Sequence, residues 1–147
     1  MANLKELTEE LKKLQEQIDI VLSLSGYSQY GDLEVEYDPH NPDDLLLADS
    51  YSLLLDKLAS VQNRLKYLHK PIKCEGSLSL RPDGRYGITG TNIYFTSGAR
   101  IEFLDVNGVI DKIPVWRIGT VEHDETGYFI MYYKYVKLDG LRVRIRG

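Results

Sequence analysis

Apolar residues near the start of the chain recur with the period of a helix. Six of them are spaced alternately three and four residues apart: Leu4, Leu7, Leu11, Leu14, Ile18 and Val21. This heptad spacing places all six on one stripe of a helix. Asn3 and Glu6 predict a capping box at its start, and Gly26 is a stop signal after it. We therefore predict a helix over residues 3–24.

A second helix is predicted from Asn41 as its N-cap and Pro42 in its first turn, to an end before Pro71. Its apolar seam also repeats every three or four residues: Leu47, Tyr51, Leu54, Leu58, Val61, Leu65 and Leu68. The two helices should pack as an antiparallel hairpin. Because a hairpin alone buries little, either it packs on the second half or two hairpins pair. Four extra leucines, at positions 45, 46, 53 and 55, favour a homodimer through the helices.

The connection between the helices, residues 25–41, is long for a helix–helix loop. Within it, apolar residues at positions 33, 35 and 37 alternate with four acids: Asp32, Glu34, Glu36 and Asp38. In an extended strand over 32–38 these acids would share one face. Two interpretations are open. The acids are solvated on a short edge strand, or they form an acidic ladder that mimics a row of phosphates or binds a basic partner.

From residue 73 the pattern changes to short strands separated by turn signals such as Asn107-Gly108 and Asp139-Gly140. We predict strands at about 74–80, 85–89, 92–96, 99–105, 113–122, 128–135 and 141–146. Short strands at this spacing are typical of a compact barrel or sandwich. The fold class is therefore α+β. A coiled-coil-like antiparallel helical hairpin occupies residues 1–70, and a small antiparallel β-barrel occupies residues 71–147.

Several motifs of the second half resemble a known family. They are Gly84-Arg85-Tyr86, the run 97–102, Trp116 with the run 120–123, Gly127-Tyr128-Phe129 and the ending 138–146. On these motifs, residues 85–147 resemble an uncharacterised small β-domain family that is common on prophages and conjugative elements of low-GC Gram-positive bacteria. The resemblance implies an SH3-like barrel and a mobile-element setting. It implies no activity, and it carries no catalytic residue over to this chain.

The net charge of −4 over 147 residues conceals an asymmetry between the two parts of the chain. Residues 1–58 hold four lysines against 13 acids, a net charge of −9, and the remaining 89 residues carry +5. This pattern argues against a uniformly basic nucleic-acid binder but allows a local basic surface. We expect a cytoplasmic protein with no membrane partner, because no apolar run is long enough to span a bilayer and Cys74 is a single cysteine.

The last strand carries the clearest binding pattern. Its arginines alternate with apolar residues, which places three guanidinium groups on one face and the apolar groups in the core. Their repeat of about 6.8 Å approximates the phosphate step of a nucleic-acid strand. The candidate nucleic-acid-binding residues are Arg142, Arg144, Arg146, Lys134, Lys137 and Tyr132. Two structural alternatives remain: the arginines protect a terminal edge strand, or they pair with the acids of 32–38 on a neighbouring strand.

The sequence contains no recognisable catalytic set. His123 has carboxylates beside it but lies at a predicted turn, and Cys74 has no zinc-ligand spacing. We therefore expect no metal and no cofactor. The predicted function is that of a non-enzymatic interaction protein of a prophage or mobile element. It would bind a protein partner, with a host defence nuclease as the expected target, as in anti-CRISPR inhibition. The alternative is a nucleic-acid-binding module that uses the arginine ladder.

Overall fold

The computed structural model describes residues 1–27, 33–107 and 113–147. The chain divides into two compact units, Met1–Lys70 and Pro71–Gly147. The first unit contains two helices, α1 (Leu4–Leu24) and α2 (Pro42–His69), and strands follow in the second. The predicted α+β class is therefore confirmed. Neither described helix combines the length and the apolar character that a membrane crossing requires.

Local signals at both ends of α1 act as predicted. The Asn3 side chain accepts a hydrogen bond from the Glu6 backbone N–H, and the Glu6 carboxylate accepts one from the Asn3 N–H, which completes a capping box. At the other end Gly26 adopts a left-handed conformation, with φ of 63°. The Tyr27 N–H then donates to the Leu22 carbonyl, as in a Schellman motif.

The predicted boundaries of α2 are also confirmed. The Asn41 side chain accepts a hydrogen bond from the Asp43 N–H, and Pro42 is the first helical residue. The helix ends at His69, two residues before Pro71.

The two helices run antiparallel within their unit. Near one end of the contact, the Gln15 side-chain oxygen lies 2.9 Å from Nδ1 of His69. Near the other end, the Tyr27 hydroxyl donates to Asp56 over 2.7 Å. Successive positions along α1 therefore meet earlier and earlier positions of α2.

The seam between the helices differs from the predicted one. Five described residues of the helical unit are buried: Ile18, Ser25, Leu55, Gln62 and Leu65. Gln62 hydrogen-bonds to Asp19 across the hairpin. Of the six residues predicted to form the seam of α1, four are exposed. The helices meet through a mixed polar and apolar side because that side supplies the side-chain hydrogen bonds between them.

The predicted strand over 32–38 is wrong for the residues that are described. Leu33–Asp38 has no strand structure, and Asp32 lies outside the described residues. The backbone N–H of Glu34 donates to the Ser25 carbonyl, and that of Asp38 donates to the Asp44 carboxylate. The segment is therefore held by the end of α1 and the start of α2, and no neighbouring strand pairs with it.

The second unit is built on one antiparallel sheet of six described strands. They are β1 (Ile72–Leu80), β2 (Tyr86–Ile88), β3 (Arg100–Asp105), β4 (Val115–Asp124), β5 (Gly127–Ile130) and β6 (Arg142–Arg146). Their order in the sheet is β2-β1-β6-β3-β4-β5. β6, the last strand in the chain, thus lies in the middle between β1 and β3. The alternative that β6 is an edge strand is wrong.

Two of the predicted strands are shorter than expected. In the range 92–96 only an isolated bridge between Tyr94 and Gly87 forms. The strand predicted over 128–135 ends at Ile130, because Tyr132 has a positive φ of 66° and the Tyr133 N–H folds back to the Ile130 carbonyl. The described strands form a half-barrel whose edges are β2 and β5.

The core of the β unit is larger than that of the helical unit. Nine described apolar residues form it: Leu78, Ile88, Phe95, Ile101, Phe103, Val121, Ile130, Leu138 and Val143. Among its described residues, the helical unit buries three apolar side chains, those of Ile18, Leu55 and Leu65. The β unit therefore buries many more of its own apolar side chains than the helical unit does.

Candidate functional site

A line of half-exposed apolar side chains runs along each helix at every seventh residue. We call these two lines together the leucine face; they are Leu7, Leu14 and Val21 of α1 and Leu47, Leu54, Val61 and Leu68 of α2. Each of the seven is between 43% and 52% exposed. A spacing of seven residues is close to two helical turns, so each line follows its helix axis.

Both lines open on the same side of the hairpin. A groove of about 430 Å³ is lined from α1 by Val21 and Leu24 and from α2 by Tyr51, Leu54 and Leu58. The connector contributes two of its alternating apolar residues, at positions 33 and 35, to the same groove. The two lines therefore border one apolar groove where Val21 of α1 and Leu54 of α2 meet, and the returning connector lies at that groove.

The connector acids lie beside this surface. Glu34, Glu36 and Asp38 are all exposed, and they alternate with the residues that line the groove. Glu34 packs so closely on Gly26 that a Cβ added to the glycine would lie 2.6 Å from the Glu34 Cβ. Asp38 accepts a hydrogen bond from the His40 N–H over 2.9 Å. Within residues 33–38 the acids are therefore exposed and Leu33 and Val35 line the groove, although the backbone of this segment is not a strand.

The arginines of β6 are bound by carboxylates of the neighbouring strands. Nε of Arg144 donates to Glu102 over 2.9 Å, and Nε of Arg146 donates to the second oxygen of Glu102 over 2.5 Å. Arg142 donates to Glu75 over 2.6 Å. Glu102 is in β3 and Glu75 in β1, the two strands that flank β6. The alternative that the arginines pair with the acids of 32–38 on a neighbouring strand is therefore wrong.

Trp116 completes this cluster from β4. The Arg144 guanidinium lies over the Trp116 ring, 4.1 Å from its centroid, in a cation–π contact. The exposed fraction of the Glu102 side chain is 4%, and that of Arg144 is 19%. Each of the three arginines thus has a carboxylate partner, and Glu102 serves two of them. The sequence pattern identified the arginines but missed Glu102, which is 42 residues from Arg144.

The predicted lysines and tyrosine lie apart from the arginine ladder. Lys134 donates to Asp124 over 2.6 Å, and its Nζ lies 4.4 Å from the centroid of the Phe129 ring. Lys134 and Lys137 line a pocket of about 370 Å³ whose described lining includes none of the three arginines. Tyr132 is 90% exposed. The structure therefore does not gather the six candidate residues into one site.

A second buried acid, Asp105, was also missed by the sequence patterns. Its carboxylate accepts a hydrogen bond from Nε of Arg117 over 2.7 Å and one from the Asn107 backbone N–H over 3.0 Å. The hydrogen bond from Arg117 is the largest cause that lowers the pKa of Asp105 below its usual 3.8. Asp105 is 3% exposed, so its carboxylate is protected from solvent.

His123 and the acidic side chains are the groups that could take part in catalysis or metal binding. The His123 ring packs edge-on against Tyr128, with 4.6 Å between the ring centroids. Over residues 1–27, 33–107 and 113–147, no three His, Cys, Asp or Glu side chains come together as a metal site. The surfaces that the geometry offers for a function are thus the leucine face and the polar face of β6.

We expect Glu102→Gln to destabilise the β unit far more than Glu75→Gln does. Glu102 is a buried carboxylate shared by two arginines, and removing its charge should lower the free energy of unfolding by about 3 kcal/mol. The Glu75 side chain is 36% exposed, so its loss should cost under about 1 kcal/mol. Urea unfolding followed by Trp116 fluorescence measures both. Equal effects of the two substitutions would contradict the assigned role of Glu102.

The Asp105 pair predicts a pH dependence of stability. Because the folded state lowers the pKa of Asp105 below 3.8, its contribution is complete above that pH and is lost as the pH falls through the folded pKa. The stability difference between wild type and Asp105→Asn should therefore be largest near neutral pH and shrink as the pH falls below 3.8. Urea unfolding at several pH values measures it, and a difference independent of pH would refute the pairing.

Comparison with known proteins identifies one domain. No curated protein and no solved structure matches the chain. A DUF5348 domain, which is a domain of unknown function, is found over residues 76–145, the C-terminal part of the chain that contains β2 to β5 and most of β1 and β6.

Proposed function

We propose that the protein is a non-enzymatic interaction factor whose helical unit binds a polypeptide through the leucine face. The observation that carries this proposal is the imbalance of burial in the helical unit. Three apolar side chains are buried there, whereas the seven residues of the leucine face are about half exposed. Apolar patches of this extent on soluble proteins typically mark interaction surfaces.

The magnitude of the unused burial fits a protein complex. Complete burial of a leucine or valine side chain is worth about 1.5–3 kcal/mol, so seven half-exposed side chains retain roughly 5–10 kcal/mol. A micromolar complex requires about 8 kcal/mol. The leucine face alone therefore supplies a free energy of the order that specific association needs, before the entropic cost of association is subtracted.

The class of partner is proposed from charge. The exposed acids of the connector edge the groove, and they complement a basic surface. Enzymes that act on nucleic acids carry such surfaces, because they must bind phosphates. A host defence nuclease is therefore the partner that we propose for these connector acids, beside the polypeptide that the leucine face binds, in the prophage or mobile-element setting that the sequence motifs suggest. The short antiparallel strands likewise support an SH3-like identity for the β unit, and the seven-residue spacing supports coiled-coil pairing of the helices.

Leu54→Glu should weaken binding at the leucine face, whereas Asn63→Glu should not. Both positions are exposed on α2, but Leu54 is on the leucine face and Asn63 lies on another side of the helix. A carboxylate at position 54 would have to be buried without a counter-charge in the complex. We expect a loss of affinity of at least about tenfold.

The measurement uses a partner captured from host extract with the wild-type chain, then purified and titrated against each variant. Circular dichroism of both variants checks that the helices remain folded. Unchanged affinity of Leu54→Glu for the purified partner would refute the leucine face as the docking surface.

Nucleic-acid binding by the β6 face is the second candidate. What favours it is the exposure of Arg142, whose side chain is 49% exposed although it is paired with Glu75. Such a site predicts a shallow salt dependence, with a slope near about −1 in a plot of log affinity against log salt, because roughly one phosphate is neutralised.

Arg142 is the most exposed of the three arginines, so Arg142→Gln should weaken binding to a single-stranded oligonucleotide, and Lys137→Gln serves as the control. Fluorescence anisotropy between about 50 and 200 mM salt measures both. Absence of binding at the lowest salt would eliminate this candidate.

A further inference from the structure

We infer that the occupant of the leucine face is a second copy of this chain, with α2 of one copy antiparallel to α2 of the other. This inference rests on the proposed function, because it names the polypeptide that the leucine face binds. Three properties of the face support it: its width, its area and the order of charges beside it.

The width of the leucine face requires an occupant that is two helices wide. One line of the face belongs to α1 and the other to α2, and the groove between them is lined from both helices. A single helix placed in this groove would leave the outer side of each line in water. A second hairpin covers both lines and gives a four-helix bundle, in which residues at these heptad positions form the core.

The exposed area is sufficient for a dimer. Besides the seven residues of the leucine face, Leu4, Leu24 and Tyr51 are 79%, 80% and 48% exposed. Ten such side chains present an apolar area on the order of 800 Å², which is what each partner of a standard stable interface buries. A self-paired hairpin therefore needs no other component to reach that size.

Charge is separated along the helical unit. Residues 14–56 contain ten Asp and Glu and no Lys or Arg, whereas residues 57–70 contain four Lys and Arg and no acid. The separation is repeated beside the leucine face. Positions 43, 50, 57 and 64 are each seven residues apart and form one line along α2, which reads Asp43, Ser50, Lys57 and Arg64.

The charges along this line are complementary to those of a second copy only when the second α2 runs in the opposite direction. If two copies of α2 pack antiparallel about a two-fold axis near Leu54, Asp43 of one copy faces Arg64 of the other, and the same pair forms twice by symmetry. Flanking charges of this kind set the orientation of paired helices. A parallel arrangement would instead place the acidic ends together, which like-charge repulsion disfavours.

Sedimentation equilibrium of the full chain tests the inference. Wild type and Asn63→Glu should be dimers at micromolar concentration, and Leu54→Glu should weaken the dimer by at least about a hundredfold, because it places two carboxylates beside the two-fold axis. Asp43→Lys alone and Arg64→Glu alone should each weaken it by about tenfold. The double variant Asp43→Lys, Arg64→Glu should recover wild-type affinity, because it exchanges the two ends of each pair.

The outcomes separate this inference from the proposed function. A wild-type chain that stays monomeric at about 100 µM overturns the second copy as occupant. If the chain is monomeric and Leu54→Glu still weakens its binding to a purified partner, the proposed function stands without this inference. A dimer that Leu54→Glu leaves intact overturns the leucine face as its interface, and so does a double variant as weak as either single charge reversal.

Discussion

Two helices packed side by side share one seam, and apolar residues that lie off that seam stay exposed unless another surface covers them. This constraint governs the helical unit. The seam between α1 and α2 is stabilised by polar contacts, including those of Gln62 with Asp19 and of Gln15 with His69. Using polar groups there fixes how the helices meet, since buried polar groups must find partners. The consequence is that the leucine lines of both helices remain outside the seam, half exposed.

The β unit, in contrast, covers its core apolar residues within one chain. Its nine core residues are covered by its own strands and turns, and its last strand inserts between two earlier ones. β6 therefore joins the pair β1 and β2 to the group β3, β4 and β5. The buried Glu102 carboxylate binds β6 to β3 through Arg144 and Arg146. The arginines that most resemble a ligand-binding ladder thus serve principally to hold the strands of the sheet together.

Local sequence signals predicted the ends of the helices correctly. They did not predict what each apolar or charged surface contacts. Asn3, Gly26 and Asn41 act through hydrogen bonds to residues within a few positions, so their effect is visible in the sequence. A heptad stripe identifies which side of a helix is apolar but not what covers it. For this reason most of the leucines predicted to form the seam proved to be exposed.

The arginine strand and the acidic segment show that alternation in the sequence predicts a strand in one case and fails to do so in the other. Alternation correctly predicted that Val143 faces the core, because β6 is a real strand with neighbours on both sides. Alternation failed for Leu33–Asp38, whose backbone is bound by the ends of the two helices instead of a strand. The pairing of Arg144 with Glu102 spans 42 residues, and only the order of strands in the sheet brings them together.

The central claim is that a second copy covers the leucine face about an axis near Leu54, and disulfide cross-linking tests it most directly. In a Cys74→Ser background, Leu54→Cys should form a disulfide-linked dimer under mild oxidation, because the two thiols meet beside the axis. Leu68→Cys lies about 21 Å along α2 from that axis and should stay monomeric under the same conditions. Rapid linkage of both variants, or of Leu68→Cys alone, would contradict the antiparallel arrangement, and linkage of neither would contradict the second copy itself.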